Sequence, residues 1–183
     1  MDTPLLDHKW FWGPNTDHML KPLAQLMHVY VNSVGRGCVL LLNATPDTSG
    51  LIPASHMQRY TELGAAVRRF STEPKGETRG QSAHLELRWN KPTTVSHVVM
   101  QEDIREGHTV RAFVVEGLTG GQWRLLAGAA SMGYKRIECF APVTVDALRL
   151  RITERVATPS ILQFAAYWAD PVGSGLAAGG VAR

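Results

Sequence analysis

The sequence predicts an α/β segment followed by an antiparallel β-sandwich. Three observations carry this: a helix–strand–helix order in the first seventy residues, a polar stretch at 71–83, and a train of short β-rich runs from Leu85 onward. The first helix is expected over 20–34, where Leu20, Leu23, Leu26, Met27, Tyr30, Val31 and Val34 recur at helical spacing. Pro22 fits only its first turn, and Gly35 and Gly37 end it as a left-handed cap would. Cys38-Val39-Leu40-Leu41-Leu42 is apolar without alternation, the pattern of a parallel strand buried on both faces. Asn43, Pro46, Asp47 and Gly50 mark a turn-rich loop. Ser55 then opens a second helix, with Gln58 completing a capping box and Met57, Tyr60, Leu63, Val67 and Phe70 on its inner face.

Residues 71–83 hold almost no large apolar side chain and read as a linker. Beyond them Leu85, Leu87 and Trp89 alternate with Glu86 and Arg88. Further runs cover 95–101, 110–116, 123–127, 134–140, 145–152 and 161–168, with turn signals at Gly107 and Gly120-Gly121. About seven short strands at this spacing describe an antiparallel sandwich over 84–170. The Gly/Ala-rich tail 171–183 is expected to be disordered. A lone parallel strand with two helices cannot bury both of its own faces. Residues 1–70 therefore read as the end of a larger α/β domain, or as a surface that packs on a partner chain.

The chain has 183 residues, is 44% hydrophobic and 19% charged, and carries a formal charge of +3 with the two signs interspersed. A nucleic-acid or membrane partner is not expected, since no long basic run and no apolar span of membrane length is present. The first ten residues do not have the form of a signal peptide. Cys38 and Cys139 fall in different halves and are not expected to pair, and no zinc-type spacing exists.

The segment Trp10-Phe11-Trp12, then Tyr30-Val31-Asn32-Ser33-Val34-Gly35-Arg36-Gly37, then Leu40-Leu41-Leu42-Asn43-Ala44-Thr45-Pro46 and Gly50-Leu51-Ile52 resembles the last barrel units of glycoside hydrolase family 29, the α-L-fucosidases, in their plant and bacterial branch. Gly37 stands where that pattern has asparagine, and Thr45 where it has proline. Gln101-Glu102-Asp103-Ile104, Val110 to Val115, Gly133 to Ile137 and Leu148 to Ile152 resemble the galactose-binding, discoidin-like sandwich that follows the barrel.

The resemblance implies a C-terminal fragment of a TIM-type (β/α) barrel at 1–70 and a sandwich at 84–170. It implies a retaining exo-glycosidase that hydrolyses α-L-fucosides on glycans, without metal or cofactor. The full-length family is expected in secreted, periplasmic or lysosomal settings. The family's nucleophilic aspartate and its fucose-gripping histidines lie upstream of anything here, so no catalytic residue is assigned and the isolated chain is expected to be inactive. By that comparison the sandwich is short of the family's opening segment, with its first strand and aromatic, and an edge or inner strand is expected to be missing. Alternative readings are a non-catalytic carbohydrate-binding module and a subunit that complements an upstream chain.

Retaining glycosidases need two carboxyl groups about 5 Å apart, and barrels set such groups on loops after several strands. This chain can contribute one wall. Trp10, Phe11 and Trp12 are the candidates for sugar contact, because aromatic faces pack on the apolar face of a sugar; core filling is the competing reading. If the segment is extended, Trp10 and Trp12 share one side and Phe11 takes the other. Asn43 ends the strand at the rim, either facing substrate or closing a turn on its own backbone. Asp47 reads as a turn residue. Asp7, His8, Asp17 and His18 read as solvated loop groups, with an acid/base role as the sharper alternative. Gln101 and Glu102 are the possible glycan contacts of the sandwich, with Tyr134, Lys135 and Arg136 as a second set. Bracing of the barrel is the plainer role for that module. Cys38 reads as core, and His28, His56, His84, His97 and His108 as surface or half-buried.

Overall fold

The computed structural model describes residues 1–169. The tail expected to be disordered lies outside them. Strand β1 (Asp2–Pro4) leads through a long loop with a 3-10 turn at Asp17–Met19 into α1 (Leu23–Ser33), then β2 (Leu41–Asn43) and α2 (Ala54–Ser71). Six strands follow: β3 (Gly76–Gln81), β4 (His84–Glu102), β5 (Val110–Thr119), β6 (Gln122–Ala130), β7 (Arg136–Arg155) and β8 (Ser160–Tyr167). Antiparallel sheet therefore dominates the chain.

β1 and β2 pair in parallel, with Asp2 opposite Leu41 and Pro4 opposite Asn43. α1 is the crossover that parallel pairing requires. β1 was not expected. Its three residues, Asp-Thr-Pro, carry no apolar pattern, so pairing to β2 alone defines it. The strand expected to be buried on both faces is shorter and more open than its sequence suggests. Val39 is 80% and Leu41 63% exposed, and Cys38 is exposed as well, against the core reading of that cysteine. Leu42 turns to the helices and joins their core, while Leu41 points to the open side. The apolar run calls for cover on two faces, and among the described residues only one face has it.

α1 starts after Pro22 and ends through a turn to Gly37, whose φ of 78° is the left-handed cap expected. α2 starts after Pro53, with no side-chain cap. The Ser55–Gln58 capping box is absent: Gln58 instead bonds Glu62 one turn along. Met57 is half-exposed and His56 takes the inner position, because the helix starts at Ala54 and His56, Leu63, Ala66 and Phe70 share its buried stripe.

The six strands form one antiparallel sheet in the order β3-β8-β4-β7-β5-β6. The runs at 85–89 and 95–101 are one strand, β4, and those at 134–140 and 145–152 are one strand, β7. Their mutual register shifts between Arg88 and Thr93 and again between Val95 and His97, where the sequence reads as a break. Residues 76–81, inside the expected linker, are not linker but form edge strand β3 on β8. GETRGQ has no large apolar residue, and hydrophobic periodicity could not reveal it.

Two cores result. One lies on a single face of the sheet and gathers Leu87, Val98, Met100, Phe113, Leu148, Leu150, Ile161 and Phe164. The other lies between the opposite face and the helices, where Val99, Ile137, Ala165 and Tyr167 meet Leu26, Met27, Val31, Leu63 and Phe70. Val98, Val99 and Met100 alternate between the two, as strand geometry requires. The approach is close at Gly35, where an added Cβ would stand 2.9 Å from Cβ of Ile137. Beside it, Glu138 accepts from Arg36 at 2.7 Å and from Arg136 at 2.6 Å, joining the end of α1 to β7. The helical layer and the sheet are thus packed face to face rather than strung on a linker.

Candidate functional site

Strand β2 and the loop that follows it open into a cleft of about 730 Å³. Trp10, Phe11 and Trp12 line one side; Leu41 to Thr48 and Asp2 line the rest. All three aromatics border this one space, not opposite sides as an extended segment would place them. The segment is a bend in a loop and not a strand, so strand alternation does not apply. Phe11 is 84% and Trp10 45% exposed, which excludes core filling for those two.

Asn43 does not close a turn on itself. Its Nδ2 donates to the carbonyl oxygen of Trp10 at 2.7 Å, and its own carbonyl accepts from the Tyr60 hydroxyl at 2.5 Å. One residue at the end of β2 thus holds the aromatic loop and the second helix together. Asn43→Ala is expected to cost about 1 kcal/mol for the lost bond. It is also expected to raise acrylamide quenching of tryptophan emission as the loop loosens; denaturant melts and quenching measure the two effects.

Asp47 behaves as the turn residue expected. It accepts from the Ser49 hydroxyl and the Ser49 N–H, and these bonds, the hydroxyl's foremost, hold its carboxyl below the usual carboxylate range. Asp7 and His8 lie 3.5 Å apart, both exposed, as solvated loop groups. His8 has φ 55° and Asn15 φ 59°, so the loop folds back sharply at two points.

Sequence reasoning missed Lys21. It is buried, and its Nζ donates to the carbonyls of Pro4 at 2.6 Å and Leu6 at 2.9 Å, closing the exit of β1. Burial pulls its pKa down, with Asp7 partly opposing. A lone lysine between a loop and a helix gives no sequence signal of such a role. The surface reading of His56 and His97 also fails. Both are fully buried, because each sits where α2 meets another layer.

The candidates on the six-stranded sheet fare differently. Glu102 is buried and turned inward, so it does not face a glycan. Its Oε1 accepts from the Thr109 N–H at 2.6 Å, the Thr109 hydroxyl at 2.7 Å and the Val110 N–H at 3.0 Å. Gln101 lies half-buried in β4 opposite Gln163. Arg136 is engaged with Glu138, and Tyr134 and Lys135 lie beside Gly37 at the end of α1. Both cysteines are free; burial pushes the Cys139 thiol up to about 12.

The aromatic wall faces β2 and its following loop, an arrangement suited to stacking against a small ring-shaped ligand. No helix among the described residues is long and apolar enough to cross a membrane.

No family model matches the chain. Individual proteins do. A rice protein (Oryza sativa subsp. japonica) assigned as α-L-fucosidase 1 is 26% identical over 86% of this chain and 37% of its own length. The crystal structure of a protein from Bacteroides thetaiotaomicron assigned as an α-L-fucosidase is 39% identical, with a TM-score of 0.88 over 92% of this chain and 40% of that chain. A glycoside hydrolase 29 family member from a rumen bacterium is 26% identical, with a TM-score of 0.84 over 94% of this chain and 34% of that chain. The chain therefore spans about two fifths or less of the length of these three relatives.

Proposed function

This chain corresponds in sequence and fold to the C-terminal portion of the family 29 α-L-fucosidases, and we infer from it that residues 1–70 are the closing βα units of a TIM-type catalytic barrel. Residues 76–169, with β3 included, are then a galactose-binding-like sandwich that braces it. The assembled protein is a retaining exo-hydrolase that removes α-linked L-fucose from glycan ends. The observation that carries this is the parallel β1–α1–β2–α2 unit with an aromatic cleft along β2 and the loop after its carboxyl end. That is the end of a barrel where sites form.

Trp10, Phe11 and Trp12 form one wall of the fucose pocket, offering aromatic faces to the ring and to the C6 methyl group. Asn43 sets the position of that wall through Trp10. The carboxyl pair that performs the displacement comes from the preceding strands. The shared core of helices and sheet supports bracing, and the burial of Glu102 weighs against a glycan-binding role for that part of the sheet.

The exposed apolar side chains at Phe11, Val39, Leu41 and Leu51 support an upstream polypeptide as the covering partner, joined to this chain or separate from it. The purified chain is expected to release no nitrophenol from an aryl α-L-fucoside. Adding the upstream polypeptide that carries the remaining strands is expected to restore turnover. Turnover by the chain alone, or none after a stable complex has formed, overturns this reading.

A further inference from the structure

A second hollow, of about 560 Å³, lies where the last turns of α2 meet the segment leading into β3 and the end of β8. Its floor is apolar: Ala65, Ala66 and Phe70, with Phe70 held in its stack on His97. The indole of Trp168, 46% exposed, forms part of the wall. Around them stand Arg68, Arg69 and Lys75, all exposed. Arg36, Arg136 and Arg149 each hold a carboxylate, whereas among the described residues none of these three cations does. Glu73, the acid in the lining, sits at a left-handed φ of 59°, where the chain reverses after α2. Cations in the last turn of a helix suit its dipole, which accounts for Arg68 and Arg69 as residue types. It does not account for an open indole and an apolar floor beside them. The rim is fixed by its backbone: Lys75 N–H donates to the Ala166 carbonyl at 2.7 Å, and the Lys75 carbonyl accepts from the Trp89 indole at 2.6 Å.

We propose that this hollow binds an acidic sugar residue of a glycan, one that carries a sulfate ester or a carboxylate. The ring packs its apolar face on the Trp168 indole above the alanine and phenylalanine floor, and Arg68, Arg69 and Lys75 meet the anionic group. A guanidinium pairs with either anion through two parallel N–H donors, while the lysine adds a point charge. A neutral sugar has the stacking alone and a bare anion the charge alone, so the hollow favours a ligand with both. That the ligand is a saccharide rests on the reading of the assembled protein as a glycan hydrolase. Thr45, in the aromatic cleft, touches His56 in the first turn of α2, and the hollow lies at the last turns of that helix, about 27 Å along its axis. The hollow therefore takes a different unit of the glycan from the one in the cleft.

Amide NMR titrations of the full chain with sulfated lactose, sialylated lactose, plain lactose and sodium sulfate test this. One or both of the acidic sugars are expected to bind about tenfold more tightly than lactose or inorganic sulfate, and the two tell the sulfate ester from the carboxylate. The shifts are expected to gather in the amides of 65–75 and 168–169. The double change Arg68→Ala and Arg69→Ala is expected to weaken the acidic sugars about tenfold, the size of two partly exposed ion pairs, and to leave lactose unchanged. Trp168→Ala is expected to weaken every sugar about threefold and to leave sulfate unchanged. Both arginines are exposed, so the double variant remains informative even where Trp168→Ala fails to fold. No binding by either acidic sugar, lactose or sulfate binding as tightly, shifts gathered elsewhere, or full affinity in the double variant overturns the proposal. The titration reads binding and not hydrolysis, so each of these negative outcomes leaves the fucosidase reading untouched.

Discussion

Lowering the pH from neutrality to about 4 is expected to remove roughly 3 kcal/mol of stability through one side chain, His97. His97 is buried between α2 and the sheet. It stacks on Phe70 at a centroid distance of 3.8 Å and 4° between planes, and on Tyr167 at 5.3 Å and 11°. Its Nε2–H donates to the Phe70 carbonyl at 2.8 Å, which leaves Nδ1 to accept from the Ser96 hydroxyl at 3.2 Å. Burial disfavours the charged ring and lowers its pKa from 6.5 to about 4, the bond to Phe70 opposing only in part.

The folded value lies below the unfolded one, so the unfolded chain takes up the proton first. The neutral ring's contribution is therefore complete above about pH 6.5 and is lost as pH falls from there to about 4. Urea melts across that interval measure the loss. His97→Phe keeps the stack and removes the titration. It is expected to lose about 1 kcal/mol at neutral pH, for the Phe70 carbonyl left without its donor, and to show a clearly shallower acid slope. An unchanged slope in that variant would place the acid sensitivity elsewhere.

Glu102→Ala is expected to cost about 3 kcal/mol. Three donors converge on its Oε1, two of them backbone N–H groups at the start of β5, and alanine leaves them without that acceptor. Backbone bonds hold the start of the 103–109 loop as well, Glu102 N–H donating to the Gly133 carbonyl and Asp103 N–H to the Ser160 carbonyl. Glu102→Gln keeps one oxygen to accept these bonds and is expected to lose no more than about 1 kcal/mol. A pair of thermal or urea melts separates the two variants. Equal losses would show that charge, and not acceptor geometry, holds the loop. As Glu102 is buried, neither change is expected to alter sugar binding except through unfolding.

The sequence by itself determined the parts whose signal is local. Helical spacing from Leu20 to Val34 and the glycine at 37 set α1 and its end, because an amphipathic stripe and a left-handed cap are properties of neighbouring residues. The non-alternating run before Asn43 marked a parallel strand, and Trp10-Phe11-Trp12 marked the aromatic wall, through residue type alone. What only the tertiary structure decided depends on partners far along the chain. β1 and β3 are strands because β2 and β8 offer them hydrogen bonds, and neither Asp-Thr-Pro nor Gly-Glu-Thr-Arg-Gly-Gln carries an apolar period.

The merging of four runs into β4 and β7 was likewise invisible, since register shifts preserve pairing across polar residues that read as turns. The burial of His56 and the roles of His97, Lys21 and Glu102 follow from which layer each meets. A polar side chain becomes structural when burial removes its water and a distant carbonyl, hydroxyl or N–H replaces it. For the same reason Asn43, legible only as a rim or turn residue, acts through Trp10, thirty-three positions away.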